Sequence, residues 1–408
     1  MDAMRAVLRH REFRLLWLAS SASALGDRIV FVALALYVTE IGSPSDVGIV
    51  LAANAIPLVL FVLIGGVWAD RLERHRVMVA TDIVRALLHG TLALLIFLGP
   101  VPIWAIVLIE AGFGTAEAFF NPAATGLVPQ TVPDDEVQQA NAATSVIFNA
   151  SELIGPAIAT ALVLGVGAGW AFAFDALTFV VSALLLSRLR PRSRGERAPR
   201  QALRADLRAG WQELRSRQWA LAVIAATSVA LLVSLGPFFT LGPTVAEEHY
   251  GSTGVYGAIA VAMGAGTLIG SLAGLRWRPR HPLRFAMGWA ALWPPAFALF
   301  ALGPPLWTII PLFVLVGFGF AMFDVLWDTA IIERVPQHAL SRVSSFDWMG
   351  SLALLPLGFL LAGPAAEAFG AAEVLVVGGL LGLAAALAGL AMPGVWRLRR
   401  IEVESPAA

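Results

Sequence analysis

The sequence predicts an all-α polytopic membrane protein, with twelve transmembrane helices arranged as two pseudo-symmetric six-helix bundles. Of its 408 residues, 58% are hydrophobic and only 14% are charged, whereas roughly a quarter of the residues of a soluble protein carry charge. At about 1.5 Å per residue, about twelve apolar runs are long enough to cross the roughly 30 Å hydrocarbon layer. Cysteine is absent, so the sequence excludes disulfides and thiolate metal sites.

The apolar runs predict the domain organisation. The first of them has a basic flank like that of a signal peptide, but it continues to Tyr37, and we interpret it as an uncleaved transmembrane helix. We expect a six-helix bundle over 1–187, a cytoplasmic basic linker with an amphipathic helix over 188–218, and a second bundle over 219–408. The predicted spans are 13–38, 47–69, 77–98, 102–122, 138–165, 168–187, 219–244, 253–274, 284–302, 306–332, 342–365 and 371–395.

Arginine placement predicts the orientation, because positively charged loops stay on the cytoplasmic side of a membrane. Arginines precede the first span and follow the second, eighth, tenth and twelfth, whereas the alternate loops are short or acidic. Both termini are therefore predicted to be cytoplasmic. Within the arginine-rich linker, the segment 201–217 places apolar residues on one helical face, which favours a helix held by anionic lipid over a nucleic-acid site.

A short charged turn and a weak internal repeat carry a family resemblance. The turn GGVWADRLERHR at 65–76 joins the second and third spans, and 113–133 in the first half parallels 318–336 in the second. The turn resembles the signature loop of the major facilitator superfamily of transporters. The stretches at 12–28, 118–133 and 140–162 resemble the drug and siderophore efflux branch, including enterobactin exporters and macrolide-efflux permeases.

The resemblance implies a secondary active efflux transporter in a bacterial cytoplasmic (inner) membrane. It would export small amphiphilic compounds such as drugs, macrolides or siderophores by proton antiport and alternating access. Small-molecule substrate, protons and the lipid bilayer are the expected partners of a monomer that needs no cofactor, metal or nucleic acid. The residues contain no nucleotide-binding loop or nucleophile motif, so we expect no enzyme. A facilitator without proton coupling, a membrane-embedded transferase and a non-transporting sensor are the alternatives.

One departure from the family pattern concerns the fourth span. Drug antiporters carry an arginine four residues before a glycine there, but this chain has Glu110 before Gly114. The fifth span keeps Gly155 and Pro156, the core of the antiporter signature. Proton exchange is therefore implied by the resemblance without the arginine that usually accompanies it.

Polar residues within the spans supply the candidate site, because an ionisable side chain in the bilayer core costs about 2.5–3.5 kcal/mol even on lenient scales. Carboxylates outnumber bases there, and we identify Arg28 as the only basic residue well inside the core. An excess of carboxylates in a low-dielectric cavity favours protonated forms, as a proton-coupled carrier requires. The proton-coupling candidates are Asp27, Glu117, Asp328, Asp324 and Glu152, with Asp27 first.

Three further groups of candidates complete the prediction. The substrate-cavity candidates are Arg28, Glu110, Asn121, Asn149, Phe238, Phe239, Trp327 and Trp348. The resemblance implies a cytoplasmic latch near 341–345, formed by Gly66, Asp70, Arg71 and Arg74, which Asp82 and Arg85 would join. Helix breaks for gating are expected at Gly155, Pro156, Gly236 and Pro237. His89 and Asp175 are interpreted as structural.

Overall fold

The computed structural model of the chain describes residues 2–192, 211–274, 276–277, 279–336, 343, 350 and 353–399. In these residues the regular structure is entirely helical. The first half consists of a short N-terminal helix, Asp2–Val7, followed by six long helices. These are α1 (Arg11–Ile41), α2 (Pro44–Arg71), α3 (Arg74–Leu98), α4 (Ile103–Leu127), α5 (Val137–Gly165) and α6 (Ala168–Ser187).

The second half repeats this sequence of helices with two irregular members. It contains α7 (Gln218–Tyr250), α8 (Gly254–Gly274), α9a (Pro282–Ala290), α9b (Trp293–Phe300), α10 (Leu306–Arg334), α11 (Leu355–Phe369) and α12 (Ala371–Ala391). Ten helices of the described part are long and apolar enough to cross a membrane. With the split ninth helix and the partly described eleventh, the arrangement agrees with the twelve predicted spans.

Local sequence explains where these helices begin. Ser43 caps α2 by accepting a hydrogen bond from the Asp46 backbone N–H, and the Asp46 carboxylate accepts one from Ser43 in return. Gly167 before α6 and Gly370 before α12 share a positive φ, 101° and 99°, that residues with a Cβ rarely adopt. The same backbone conformation therefore begins the last helix of each half.

The ninth span was predicted as one helix over 284–302, and the structure corrects this to two short helices. Pro294 lies at the start of α9b, and the turn at 291–292 separates α9b from α9a. Proline lacks a backbone N–H and its ring clashes with the preceding turn, so a helix ends before it and a new one can start at it.

The seventh span was predicted to break at Gly236 and Pro237, but the chain stays helical through both. Residues Leu231–Leu235 form a π-helical turn, in which the Gly236 backbone N–H donates to the carbonyl of Leu231. The wider turn accommodates the proline that follows it, so the irregularity is a local bulge in place of a break. Pro156 likewise lies inside α5 without ending it.

The chain forms two compact units. The first comprises Met1–Ala198, Phe239–Gly264 and Phe359–Glu367, and the second comprises Pro199–Phe238, Ala265–Gly358 and Ala368–Ala408. Within the first unit, α2 packs most extensively on α4, and α3 packs on α6. Most of the expected linker lies outside the described residues, so the domain boundaries at 187 and 219 stay a prediction.

Candidate functional site

A buried arginine on α3 connects carboxylates from two helices. The side chain of Arg85 is 1% exposed and its Nη2 lies 2.5 Å from Oδ1 of Asp82, one helical turn earlier. The hydroxyl of Ser182 on α6 donates to the other oxygen of Asp82 at 2.6 Å. Across from this pair, Oδ1 of Asp27 on α1 lies 3.7 Å from Nη1 of Arg85. The Asp27 side chain is 32% exposed although its Oδ1 is buried, so this ion pair joins a partly exposed side chain to an inaccessible guanidinium.

Aromatic rings surround the charge of Arg85. Its guanidinium carbon lies 4.1 Å from the ring centre of Phe120 and 4.2 Å from that of Phe179. The negative face of an aromatic ring attracts a cation, and the attraction strengthens where water is excluded. The rings therefore stabilise a charge whose burial would otherwise cost several kcal/mol.

One turn further along α3, His89 lies between two buried carboxylates. Its Nδ1 is 2.5 Å from Oδ2 of Asp175 on α6, and its Nε2 is 3.4 Å from Oε1 of Glu110 on α4. The imidazole ring stacks on Phe113 with 4.0 Å between ring centres and 4° between planes. The other oxygen of Glu110 accepts a hydrogen bond from the Asn54 side chain of α2 at 3.1 Å. All three ionisable groups are 1% exposed or less.

These contacts form two charge clusters on α3, one around Arg85 and one around His89 four residues later, and together they have a deficit of positive charge. We call the two clusters together the charge network. Four carboxylates face one arginine and one histidine, so negative charge is left over even with the imidazole protonated. Uncompensated charge in a low-dielectric interior is costly, and proton uptake by a carboxylate removes it. The network is therefore chemically suited to binding protons. Its members are Asp27, Asp82, Arg85, His89, Glu110 and Asp175.

Glycines allow the helices of the network to approach each other. A Cβ on Gly26 of α1 would meet the carboxylate of Asp175 and the hydroxyl of Thr178. A Cβ on Gly114 of α4 would meet the backbone of Asn54 on α2. These two close approaches hold Asp175 beside α1 and Glu110 beside Asn54.

Two further predicted candidates form an ion pair near the network. Nη2 of Arg28 on α1 lies 2.7 Å from Oε1 of Glu152 on α5, and both side chains are partly exposed. A Cβ on Gly155 would meet Arg28, so this glycine permits the contact between α1 and α5. Glu117 and Asn121 also pair, with the amide nitrogen of Asn121 donating across 3.4 Å.

The identification of Arg28 as the only basic residue in the core is wrong. Arg85 is fully buried, and so is His89. The sequence analysis assigned Arg85 to the cytoplasmic latch. Its charge is instead compensated by Asp82 on its own helix, by Asp27 and by the surrounding rings.

The structure separates the latch candidates into two groups. Asp82 and Arg85 belong to the buried charge network, whereas Arg74 donates to the backbone carbonyl of Gly126 at the end of α4. The packing of Gly66 and the side chains of Asp70 and Arg71 is outside what the structure describes, and so are Trp348 and nearly all of 341–345. The latch itself stays a prediction.

The aromatic candidates of the second half are mostly buried. Phe238 is 1% exposed and stacks on Phe297 at 4.4 Å, while Trp327 is 5% exposed and lies 5.8 Å from the ring of Trp219. Phe239 packs edge-on against Phe31 of α1 at 5.0 Å. Three other candidates are more accessible: Asp324 and Asp328 are exposed on α10, and Asn149 is half-buried on α5.

The sequence analysis named His89 and Asp175 only as structural residues, whereas both are fully buried members of the site. A signal for His89 was present, because Asp82, Arg85 and His89 are spaced by three and four residues and so share one helical face. Asp175 is a single acid in an apolar span, and its partners come from other helices. Within the described residues, no group of three or more histidine, aspartate or glutamate side chains has an arrangement that could hold a metal ion.

Comparison with solved structures supports the fold. The nucleoside transporter NupG superposes with a TM-score of 0.69 at 14% identity, covering 95% of this chain and 99% of that one. A bacterial homologue of the iron transporter ferroportin in an inward-facing state gives a TM-score of 0.69 at 16% identity, covering 94% and 99%. Both are multi-helical transporters of the same architecture.

Sequence relatives cover nearly the whole chain. The multidrug efflux pump Tap of Mycolicibacterium fortuitum is 29% identical over 409 residues, which is 96% of this chain and 97% of the relative. Macrolide efflux protein A of Streptococcus pyogenes is 20% identical over 403 residues, covering 96% and 98%. The family model of the Major Facilitator Superfamily matches residues 16–353. The chain therefore belongs to the Major Facilitator Superfamily, a family of multi-pass membrane transporters.

Proposed function

We propose that the protein is a proton-coupled exporter of small amphiphilic compounds, of the drug or macrolide type, that works by alternating access. Two relatives of nearly equal length are named a multidrug efflux pump and a macrolide efflux protein, which supports export as the direction. The arginine-rich inner loops support an orientation with both termini in the cytoplasm of a bacterial inner membrane. The expected working unit is a monomer.

The observation that carries the coupling proposal is the contact between Asp27 and Arg85. Their closest atoms are 3.7 Å apart, which is too long for a hydrogen bond, whereas Arg85 and Asp82 are 2.5 Å apart. A negative Asp27 attracts the guanidinium toward α1. A protonated Asp27 does not, and Arg85 is then left to Asp82. Protonation of one accessible carboxylate thus changes the force between α1 and α3.

Asp27 is a group for which protons and substrate can compete. Asp27 is the partly exposed member of the network: its Oδ1, which faces Arg85, is buried, but the rest of the side chain gives water or a bound compound a point of contact while Arg85 stays dry. Exchange requires that substrate binding and protonation exclude one another or favour opposite orientations of the carrier. A substrate bound beside ionised Asp27 and released when Asp27 takes a proton meets that requirement.

The test is substrate-driven proton movement in proteoliposomes that contain the purified protein and a pH-sensitive dye. Erythromycin serves as the macrolide probe and tetraphenylphosphonium as the cationic probe. We expect a proton signal from the wild type that is lost in Asp27→Asn, because the amide cannot carry the proton. Glu40→Gln removes an exposed carboxylate from the same helix and should leave the signal intact.

The other outcomes assign a different function. Labelled probe that crosses the membrane without proton movement would indicate a facilitator or another coupling ion. Binding without flux would indicate a sensor, and chemical conversion of the probe would indicate a transferase. A normal proton signal from Asp27→Asn would remove Asp27 from the mechanism while leaving proton coupling in place.

A further inference from the structure

His89 occupies a position that the coupling role of Asp27 does not explain. It is fully buried on α3 and contacts carboxylates on two other helices, Asp175 on α6 and Glu110 on α4. Such a histidine could be a fixed structural link. Three features of its surroundings indicate that it also exchanges a proton.

The first feature is that both contacts of the imidazole require a proton. A nitrogen and a carboxylate oxygen both bear lone pairs, so at 2.5 Å Nδ1 and Asp175 must share a hydrogen. Nε2 and Oε1 of Glu110 face each other at 3.4 Å, and neither atom has another hydrogen-bond partner in the described structure. Both contacts of the imidazole can therefore be hydrogen bonds only while His89, Glu110 and Asp175 together hold two protons.

The second feature is that the two contacts differ in strength. The contact to Asp175 is short, whereas the contact to Glu110 is 3.4 Å long. The two atoms of the longer contact have no other hydrogen-bond partner in the described residues. Glu110 also accepts a hydrogen bond from Asn54 through its other oxygen, which stabilises the ionised form once the shared proton leaves. The proton between His89 and Glu110 is accordingly the exchangeable one.

The third feature is a fixed ring with distinct partners at its two nitrogens. Phe113 stacks on the imidazole at 4.0 Å, and Phe172 packs edge-on at 5.7 Å, so the ring cannot turn to exchange its nitrogens. An imidazole can accept a proton at one nitrogen and release another from the opposite nitrogen. Here such a transfer runs from Glu110 on α4 to Asp175 on α6, and Asp175 lies against Gly26, the neighbour of Asp27.

We propose that His89 and Glu110 form a second proton-binding site, which releases its proton to water when α4 moves away from α3 and thereby adds one proton to the exchange cycle. The inference rests on the proposed function. The charged groups around His89 are Glu110 of α4, Asp175 of α6 and Arg85 of α3, with Asp27 of α1 beyond Asp175. α2 contributes the neutral Asn54. Loss of the proton leaves Glu110 ionised and hydrogen-bonded to Asn54.

A measurement without substrate tests this site directly. Infrared difference spectra of the reconstituted full chain are recorded between about pH 6 and about pH 9, the range in which a histidine-linked site can exchange its proton. We expect titrating bands that disappear in both Glu110→Gln and His89→Asn. His249→Asn, which removes an exposed imidazole on α7, should lose its own signal and keep those bands. Identical titrating bands in Glu110→Gln and the wild type would overturn the inference.

A second measurement separates this site from a purely structural link. Protons released per bound erythromycin or tetraphenylphosphonium are counted with a dye in weak buffer. Glu110→Gln should release about one proton fewer than the wild type, because the neutral amide lacks the negative charge that holds the exchangeable proton between the two side chains. A fall in thermal stability with an unchanged proton count would overturn the inference and leave the role of Asp27 standing. Absence of proton release from the wild type would instead contradict the proposed function.

Discussion

Asp27 on α1 and Arg85 on α3 face each other across 3.7 Å, with the aspartate side chain about one-third exposed and the arginine side chain fully buried. The contact therefore connects a partly exposed side chain of α1 to a guanidinium that water does not reach. Asp82 holds the same cation at 2.5 Å from within α3. Arg85 is thus shared by two acids, of which only one can exchange protons readily with water.

The first prediction concerns the stability that Arg85 provides. Arg85→Gln should destabilise the protein by about 3–5 kcal/mol, because it leaves Asp82 buried without its cation. The double variant Arg85→Gln with Asp82→Asn should recover most of that loss, since it removes both charges together. Thermal unfolding in detergent measures both. Arg11→Gln, an exposed arginine on α1, is the matched control and should change the unfolding temperature little.

Failure of the double variant to recover stability would mean that Arg85 acts mainly through other contacts. The rings of Phe120 and Phe179, at 4.1 and 4.2 Å, are the remaining partners. Arg85→Lys distinguishes the two contributions. It keeps the charge but lacks the planar fork that packs on those rings and reaches Asp82.

The second prediction concerns the close approach of α4 and α2. Gly114→Ala should destabilise the protein by about 1–3 kcal/mol, because the added methyl group would meet the backbone of Asn54, which cannot rotate away. The resulting shift of α4 should move Glu110 relative to His89 and reduce transport. Gly288→Ala on α9a, where a Cβ meets nothing within 4 Å, should be neutral or stabilising by up to about 1 kcal/mol.

Transport and unfolding are measured on the same preparations of both glycine variants. Wild-type stability in Gly114→Ala would show that α4 can move away from α2 at little cost. Normal transport together with lost stability would separate the packing of these helices from the geometry of the site.

The third prediction tests the internal repeat through two equivalent turns. Gly167→Ala and Gly370→Ala should each cost about 1–3 kcal/mol, because an alanine is strained at φ of 101° and 99°. At Gly370 the new Cβ would also meet the carboxylate of Glu373, so Gly167→Ala measures the backbone effect alone. Gly165→Ala, two residues before the first turn, has an ordinary φ and open space around its Cβ, so it should cost less. Equal losses at Gly165 and Gly167 would mean that the positive φ is not the cause. Equilibrium unfolding in detergent provides the comparison.

The sequence alone determined the class of the fold and the position of most helices. Apolar runs of bilayer length leave the backbone one way to satisfy its hydrogen bonds in lipid, so span length predicts a helix with few alternatives. The observed α6, Ala168–Ser187, matches its predicted bounds. The π-helical turn before Pro237 and the split ninth span were not predictable from hydrophobicity, because a proline in an apolar run can be accommodated by a bulge, a kink or a new helix.

Only the tertiary structure decided which charges belong together. The sequence identified Asp27 and Glu110 as acids within the spans but assigned Arg85 to a cytoplasmic latch and His89 and Asp175 to structural roles. Each of these residues has at least one partner on another helix, as Arg85 has on α1 and His89 has on α4 and α6. Helical periodicity fixes which residues share a face, but the rotation and depth of neighbouring helices fix which faces meet. The rotation and depth of the helices depend on close approaches such as that of Gly26 to Asp175. Such approaches are properties of the packed helices and cannot be deduced from one helix alone.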